Sequence, residues 1–521
     1  MIRLFQVKCA SEDQKEIEAR ILKKLHIEKR DLFAWSIHRK SVDARHREIF
    51  FSYTVDCSVR NEQRFLKRKD IQPTPDETYH PAQPGSHPLK TRPYVIGFGP
   101  AGMFAAYTLA QAGYCPVIIE RGSRIEQRRQ KTESFWHGGP LDPECNVQFG
   151  EGGAGAFSDG KLTTRSKDPR CRKVLSDLVH LGADPEILID QHPHIGTDAF
   201  EQIIIALRKE IEQLGGTFCF DARLDDLQIE NGKLTGICVN GSWSDCSALI
   251  LAIGHSARDT VMMLHHRGLA MENKRFAVGV RIEHTQEWVN RAMLRDHSTD
   301  PRLIPARYQL TYTTSANKGV YTFCMCPGGY VISACAQPGH LVVNGMSYAD
   351  RGGTNANSAL LVQVDASDYG NELFAGLHYQ EAIEQKAYEV VGGYQACCQR
   401  ADDYLYGGKH AFTVQPTYQP AVSAVDLNTV LPMPVNDALH EALPHFEAKV
   451  PGFVSSGAVL TAPETRSSSA VRIVRNTDLT AGFTGVYPCG EGSGYAGGIM
   501  TSAVDGIRCA EKLIEYFAYG Q

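Results

Sequence analysis

The side chains with chemistry to offer are Glu151, Ser158, Lys161 and Arg466. The first three sit in one stretch, Cys145 to Thr164, read C-N-V-Q-F-G-E-G-G-A-G-A-F-S-D-G-K-L-T-T, with five glycines between Gly150 and Gly160. Backbone so rich in glycine, Gly152 and Gly153 included, can lie flat against a planar ligand or a phosphate. The interleaved Phe149, Ala154, Phe157 and Leu162 argue that this stretch is buried rather than a mobile surface loop. Arg466 stands among hydroxyls in Thr465-Arg466-Ser467-Ser468-Ser469, where its guanidinium can grip a carboxylate at two points. Glu151, Lys161 and Arg466 are therefore the expected catalytic residues. A general base is sought among His137, His194 and His255, although a lone histidine is more often structural.

These groups need a frame, and Tyr94 to Arg121 supplies it: Y-V-I-G-F-G-P-A-G-M-F-A-A-Y-T-L-A-Q-A-G-Y-C-P-V-I-I-E-R. A short apolar strand meets Gly97, Gly99 and Gly102 at G-x-G-x-x-G spacing. A helix-forming run follows to Ala112, then a second strand, Val117 to Ile119, ending on Glu120. Gly97 permits the tight turn, Gly99 lets the main chain approach a pyrophosphate, and Gly102 lets helix and strand touch. The helix start offers unpaired N–H groups and a partial positive charge to phosphate. An acid about twenty residues on is placed for ribose hydroxyls. The complete unit predicts a bound dinucleotide.

At 521 residues the chain is too long for one core. Residues 1–71 read as a small N-terminal α/β domain, with a serine-capped helix from Ser11 to Leu25. Residues 72–93 hold prolines 73, 75, 81, 84, 88 and 93 and read as an extended linker. Residues 94–270 and 456–521 form a discontinuous, Rossmann-like α/β domain, and 271–455 an inserted α+β substrate-side domain. The net charge of −5 argues against a nucleic-acid partner. No apolar run reaches membrane-spanning length, and the start lacks a secretion-signal pattern. Fifteen scattered cysteines fit a reduced, cytoplasmic compartment. Cys324-x-Cys326 without a second pair is a poor zinc pattern, so no metal is expected. Arg121, Arg124, Arg128, Arg129 and Lys131 form a basic cluster that reads equally as phosphate neutralisation or a solvated helix face.

The end returns to cofactor language. Gly485-Val486-Tyr487-Pro488-Cys489-Gly490-Glu491 is a strand leading to a glycine and an acid, and a helix begins after Gly497-Gly498. Together with G-F-G-P-A-G-M, V-I-I-E-R-G and the middle strand A-L-I-L-A-I-G, this resembles FAD-dependent oxidoreductases of the glutathione-reductase-like superfamily. It looks closest to an uncharacterised bacterial NAD(FAD)-utilizing dehydrogenase, or geranylgeranyl-reductase-like, group. The match spans most of residues 91–521. The resemblance implies FAD, with Gly97, Gly99, Pro100, Ala101 and Gly102 around the pyrophosphate and Glu120 and Arg121 at the adenosine ribose and adenine edge. Arg128, Gly152 and Gly153 join the cofactor set. Gly254 would lie near the adenosine half, Gly490 and Glu491 at the pyrophosphate and ribityl chain, and Gly498, Ile499 and Met500 at the pyrimidine end of the flavin.

Two departures narrow the reading. There is no second G-x-G-x-x-G, so NAD(P)H, as a transient electron donor, docks without its own fingerprint. Nor is there an early Cys-x-x-Cys or Cys-x4-Cys pair, which disfavours a disulfide reductase. Cys324 and Cys326, and Cys397 and Cys398, are expected to be structural, with a redox thiol pair beside the flavin as the alternative. The leading function is hydride transfer between a small molecule and FAD. An RNA-modifying flavoprotein and a non-catalytic flavin sensor remain as alternatives. Oligomeric state is not legible.

Overall fold

The computed structural model describes residues 1–44 and 47–518. Its centre is a five-stranded, wholly parallel sheet. The strands lie in the order Val486–Pro488, Leu249–Leu251, Tyr94–Ile96, Val117–Ile119 and Thr217–Cys219. Val95, Ile118 and Ile250 are fully buried, as continuous apolar runs covered on both faces must be. The last strand joins the sheet from the far end of the chain.

Helix Pro100–Gln111 follows the first strand and buries ten of its twelve residues. A helix apolar all round needs cover on every side. The second cover is the C-terminal helix Ile499–Tyr516, which packs along it. Two glycines make the approach close. A Cβ on Gly102 would overlap the carbonyl oxygen of Gly97, and one on Gly506 would overlap that of Ala101.

The inserted domain is built on a seven-stranded, mainly antiparallel sheet. Its order is Thr311–Thr313, Gly319–Cys326, Asn355–Val364, Phe276–Thr285, Val459–Glu464, Ala396–Arg400 and Val422–Ala424. Helices Ala375–Val391 and Met433–Lys449 pack on it. Strand Val459–Glu464 pairs with strands on both sides, so the sheet holds the chain until Glu464 rather than releasing it at residue 455.

The N-terminal unit is a four-stranded antiparallel sheet, ordered Leu32–Asp43, Phe50–Val59, Ile2–Cys9 and Ile71–Pro73, with one helix, Gln14–Leu25. Asp13, not Ser11, caps that helix, accepting from the Lys15 amide; Ser11 instead donates to Glu16. The proline-rich segment is not a free tether. Gly85 N donates to Ile514 O at 2.8 Å, and His87 stacks on Tyr516 with ring centroids 4.0 Å apart. The N-terminal sheet edge docks on the central domain through Lys40 N to Ile189 O and Gln191 N to Lys40 O. Among the described residues no helix is long and apolar enough to cross a membrane.

Candidate cofactor and substrate cleft

A cleft of about 430 Å³ opens where the parallel sheet meets the inserted domain. Gly97, Gly99, Pro100 and Ala101 line it from the glycine turn. Gly97 sits at φ +88°, in the left-handed region that only glycine takes freely. Gly254, at φ +68°, and Gly498, at φ +89°, also line the cleft, with open space where a Cβ would stand. Gly498, Ile499 and Met500 bring the start of the C-terminal helix to the same cleft. Two helix N-termini, each with amides that have no partner inside the helix, therefore face one space. Gly102 and Gly490 act one layer back. Gly102 seats the helix on its strand. Gly490 donates its amide to Asp505 at 2.8 Å, and a Cβ there would crowd Ala101 at 2.6 Å.

Glu120 lines the cleft and also ties loops together. Its carboxylate accepts from the amides of Phe98 at 2.7 Å, Gly122 at 3.0 Å and Gly150 at 2.9 Å. A carboxylate has about four acceptor sites, so capacity for a ribose hydroxyl remains. Arg121 is a wall rather than a free arm. It pairs with Glu144 and Asp259 and lies over the Phe149 ring at 4.3 Å. Of the two adjacent glycines, Gly153 reaches the cleft, while Gly152 turns behind it and donates to Phe98 O.

Two further expected site residues, besides Gly102, Gly152 and Gly490, lie outside the cleft. Arg128 is fully buried and donates to the carbonyls of Asn146, Val147, Gly150 and Glu151. It folds the glycine loop rather than touching a cofactor. The sequence showed its charge, but a loop whose carbonyls turn inward needs that charge more than phosphate does. Arg128→Met should cost about 3 kcal/mol, because buried carbonyls lose charged donors. A chemical denaturation midpoint unchanged from wild type would contradict this role. Glu151 is likewise buried, accepting from Ile125 N at 2.8 Å and from Arg208 at 3.0 Å. Burial pushes its carboxyl up to about 7. It caps helix Ile125–Trp136 and has no access to a substrate.

Lys161 and Arg466 do reach the cleft. Lys161 Nζ donates to Met325 O and lies 3.5 Å from Asp159. Against the pull of burial, Lys161 and Arg351 hold the Asp159 carboxyl below the usual range. Arg466 is only 5% exposed. It grips Glu384 through Nε at 3.1 Å and Nη2 at 2.9 Å, while its Nη1 has no protein partner. Arg258 grips the same carboxylate from the other side at 2.8 and 2.9 Å and lies 3.7 Å from Glu381. Glu384 thus aims Arg466 at the cleft.

The three histidines separate. His137 is exposed at a helix end and bonds Glu133 O, and His194 contacts Ala349 O. Neither lines the cleft. His255 does: its Nδ1 is 3.6 Å from Glu491, and its buried Nε2 is unpartnered. Asp159 on the cleft wall, and Glu384 and Arg258 behind Arg466, were not singled out from sequence. Glu384 did leave a signal, an acid on the buried stripe of Leu377, Gln380, Ile383 and Ala387.

The site fits FAD. Two open glycine cradles, two helix N-termini and two unpartnered nitrogens, His255 Nε2 and Arg466 Nη1, surround one space. This arrangement and the parallel sheet define a FAD-dependent oxidoreductase-type fold. Residues 275–467 match the model described as FAD-dependent protein, C-terminal domain-like, and residues 1–58 match a domain of unknown function. Among solved structures, a geranylgeranyl bacteriochlorophyll reductase-like protein from Thermoplasma acidophilum is 14% identical, with 82% of this chain and 79% of that one covered and a TM-score of 0.34. L-proline dehydrogenase from P. horikoshii is 11% identical, covering 82% and 94%, with a TM-score of 0.33. An uncharacterized protein of Clostridium beijerinckii is 43% identical over 516 residues, 97% of each chain. The chain belongs to the same family as that protein.

Proposed function

We propose that the protein is a flavoenzyme that passes a hydride between FAD and a small molecule bearing a carboxylate or similar anion. One observation carries the substrate class: Arg466 Nη1, buried and unpartnered, on the wall of the cleft that the dinucleotide turn opens. A nearly buried guanidinium nitrogen without an acceptor is costly unless a ligand supplies one. The dinucleotide unit is assigned to the glutathione-reductase-like group on its first glycine motif, middle strand and late G-E motif.

FAD, when bound, supplies the hydride chemistry. Gly97, Gly99 and the first turn of helix Pro100–Gln111 would hold its diphosphate. Ile499 and Met500 would present helix amides to the bound cofactor and stabilise negative charge on it. Arg466 and Lys161 orient the substrate anion. His255 Nε2 takes or returns a proton, with Glu491 beside its other nitrogen. The inserted sheet forms one wall of the cleft through Phe323, Cys324 and Glu464. NAD(P)H serves as a transient donor, docking in the open cleft.

The test is anaerobic photometry of the FAD-loaded protein with NADH, NADPH and a panel of hydroxy, amino and unsaturated acids. At least one should bleach the flavin band. Arg466→Lys should then raise KM for that acid roughly tenfold or more, as loss of a charge-assisted bond implies, with the flavin spectrum retained. An unchanged KM would remove Arg466 from the substrate site.

A further inference from the structure

Cys324 lines the cleft, and Cys326 lies fully buried close by. They end the strand Gly319–Cys326, whose register with Asn355–Val364 breaks between Phe323 and Cys326. Cys324 carries φ +43°, a conformation that a non-glycine residue rarely takes. In a regular strand, Cα atoms two residues apart stand about 6.6 Å apart. A disulfide tolerates roughly 4.4–6.8 Å, so a flat strand sits at the limit and a bulge shortens the span.

The surroundings are cationic. Arg281, fully buried, donates through Nη2 to Cys324 O at 3.1 Å and lies 3.7 Å from Cys326 Sγ. Lys161 donates to the carbonyl of Met325, between the two cysteines. The Cys326 thiol's hydrogen bond, with Lys161 and Arg281, holds Cys324 well below the ordinary thiol range, while Cys326 is held above it. Cys397 and Cys398 differ from Cys324: both are fully buried away from the cleft, and burial pushes both thiols up. Both are residues of the inserted domain's core.

We propose that Cys324 and Cys326 form a dithiol–disulfide couple that exchanges an electron pair with FAD in the same cleft. This rests on the flavin reading above. Cys324 is the exchanging sulfur at the cleft wall, and Cys326 is the buried partner. Oxidation forms the bond between the two sulfurs and breaks the Cys326 S–H bond. Thiolate plus thiol give up two electrons and one proton, and oxidised FAD takes up both electrons and that proton. The reverse step reopens the disulfide. Arg281 and Lys161 stabilise the thiolate form and so favour the reduced couple.

The test is an anaerobic dithionite titration of the full-length, air-oxidised holoprotein, followed by the flavin band. Wild type should take up about four electron equivalents per FAD, against about two for Cys326→Ser or Cys324→Ser. Alkylation and peptide mapping of the wild type need no variant. The peptide holding both cysteines should be internally linked before titration and doubly alkylated after it. Two electron equivalents in wild type, with both thiols alkylated in the oxidised protein, would overturn the proposal. A protein that shows no flavin band and refuses added FAD overturns it differently, by removing the electron partner, and the spectrum reports that case separately.

Discussion

Gly99→Val should yield a folded, colourless protein. Gly99 caps helix Pro100–Gln111 with extended backbone, φ −80° and ψ −176°, which valine adopts without strain. A Cβ there meets only the Gly153 backbone, at 3.5 Å, an ordinary contact. What the side chain removes is the close approach of main chain to diphosphate. Affinity for FAD should fall at least about a hundredfold, ~3 kcal/mol. The melting temperature should match that of wild-type apoprotein. Gly102→Ala makes the contrast, because its methyl group overlaps the Gly97 carbonyl and pries helix from strand. That variant should lose stability as well as colour. FAD titrations of both variants, read beside thermal melts, separate binding from folding. A Gly99→Val protein that purifies yellow, with wild-type affinity, would place the diphosphate elsewhere.

The second large effect belongs to Glu384. It is fully buried between Arg258 and Arg466 and also accepts from Thr465 Oγ1 at 2.7 Å. Glu384→Gln keeps the shape and leaves two buried guanidinium groups without their shared carboxylate. Breaking such a group typically costs about 3–5 kcal/mol. Urea denaturation at neutral pH should show a loss of that order. The pH dependence gives a second check. Despite the opposing pull of burial, Arg466 and Arg258 hold Glu384 far below the usual carboxylate range. Its contribution is therefore fully present above the unfolded value of about 4.3 and is lost as pH falls below it toward the folded value. The stability gap between wild type and Glu384→Gln should stay flat from neutral pH down to that point and narrow below it. A gap that is small at neutral pH, or that widens in acid, would show that the arginines find other partners.

The dinucleotide turn was legible because its information is local. Gly97, Gly99 and Gly102 do their work within one strand, one turn and one helix, and short-range geometry is written in spacing. The loop around residue 150 shows where that legibility stops. Glu151 and Lys161 lie in the same glycine-dense stretch and looked equivalent. Glu151 turns inward onto Arg208 and a helix start, whereas Lys161 crosses to the inserted domain and meets Met325. Nothing in the spacing distinguishes them, because their partners are far away in the chain. Arg128 misled for the same reason: its charge was visible, but the four carbonyls that it serves were not. The histidines sort by place in the fold: of the three, only His255, a few residues past strand Leu249–Leu251 of the central sheet, lines the cleft.

The amino-acid sequence alone determined the α/β class of the frame, the glycine turn and the polarity of the helix that follows it. Each follows from hydrophobic period, glycine spacing and helix polarity, which act over a few residues. Only the tertiary structure decided which charged groups face the cleft, which are spent folding its walls, and that Cys324 and Arg466 share it. Those outcomes depend on long-range pairs such as Arg466 with Glu384 and Lys161 with Met325. There the cost of burying a charge is settled by whatever the fold brings beside it, not by its neighbours in the chain.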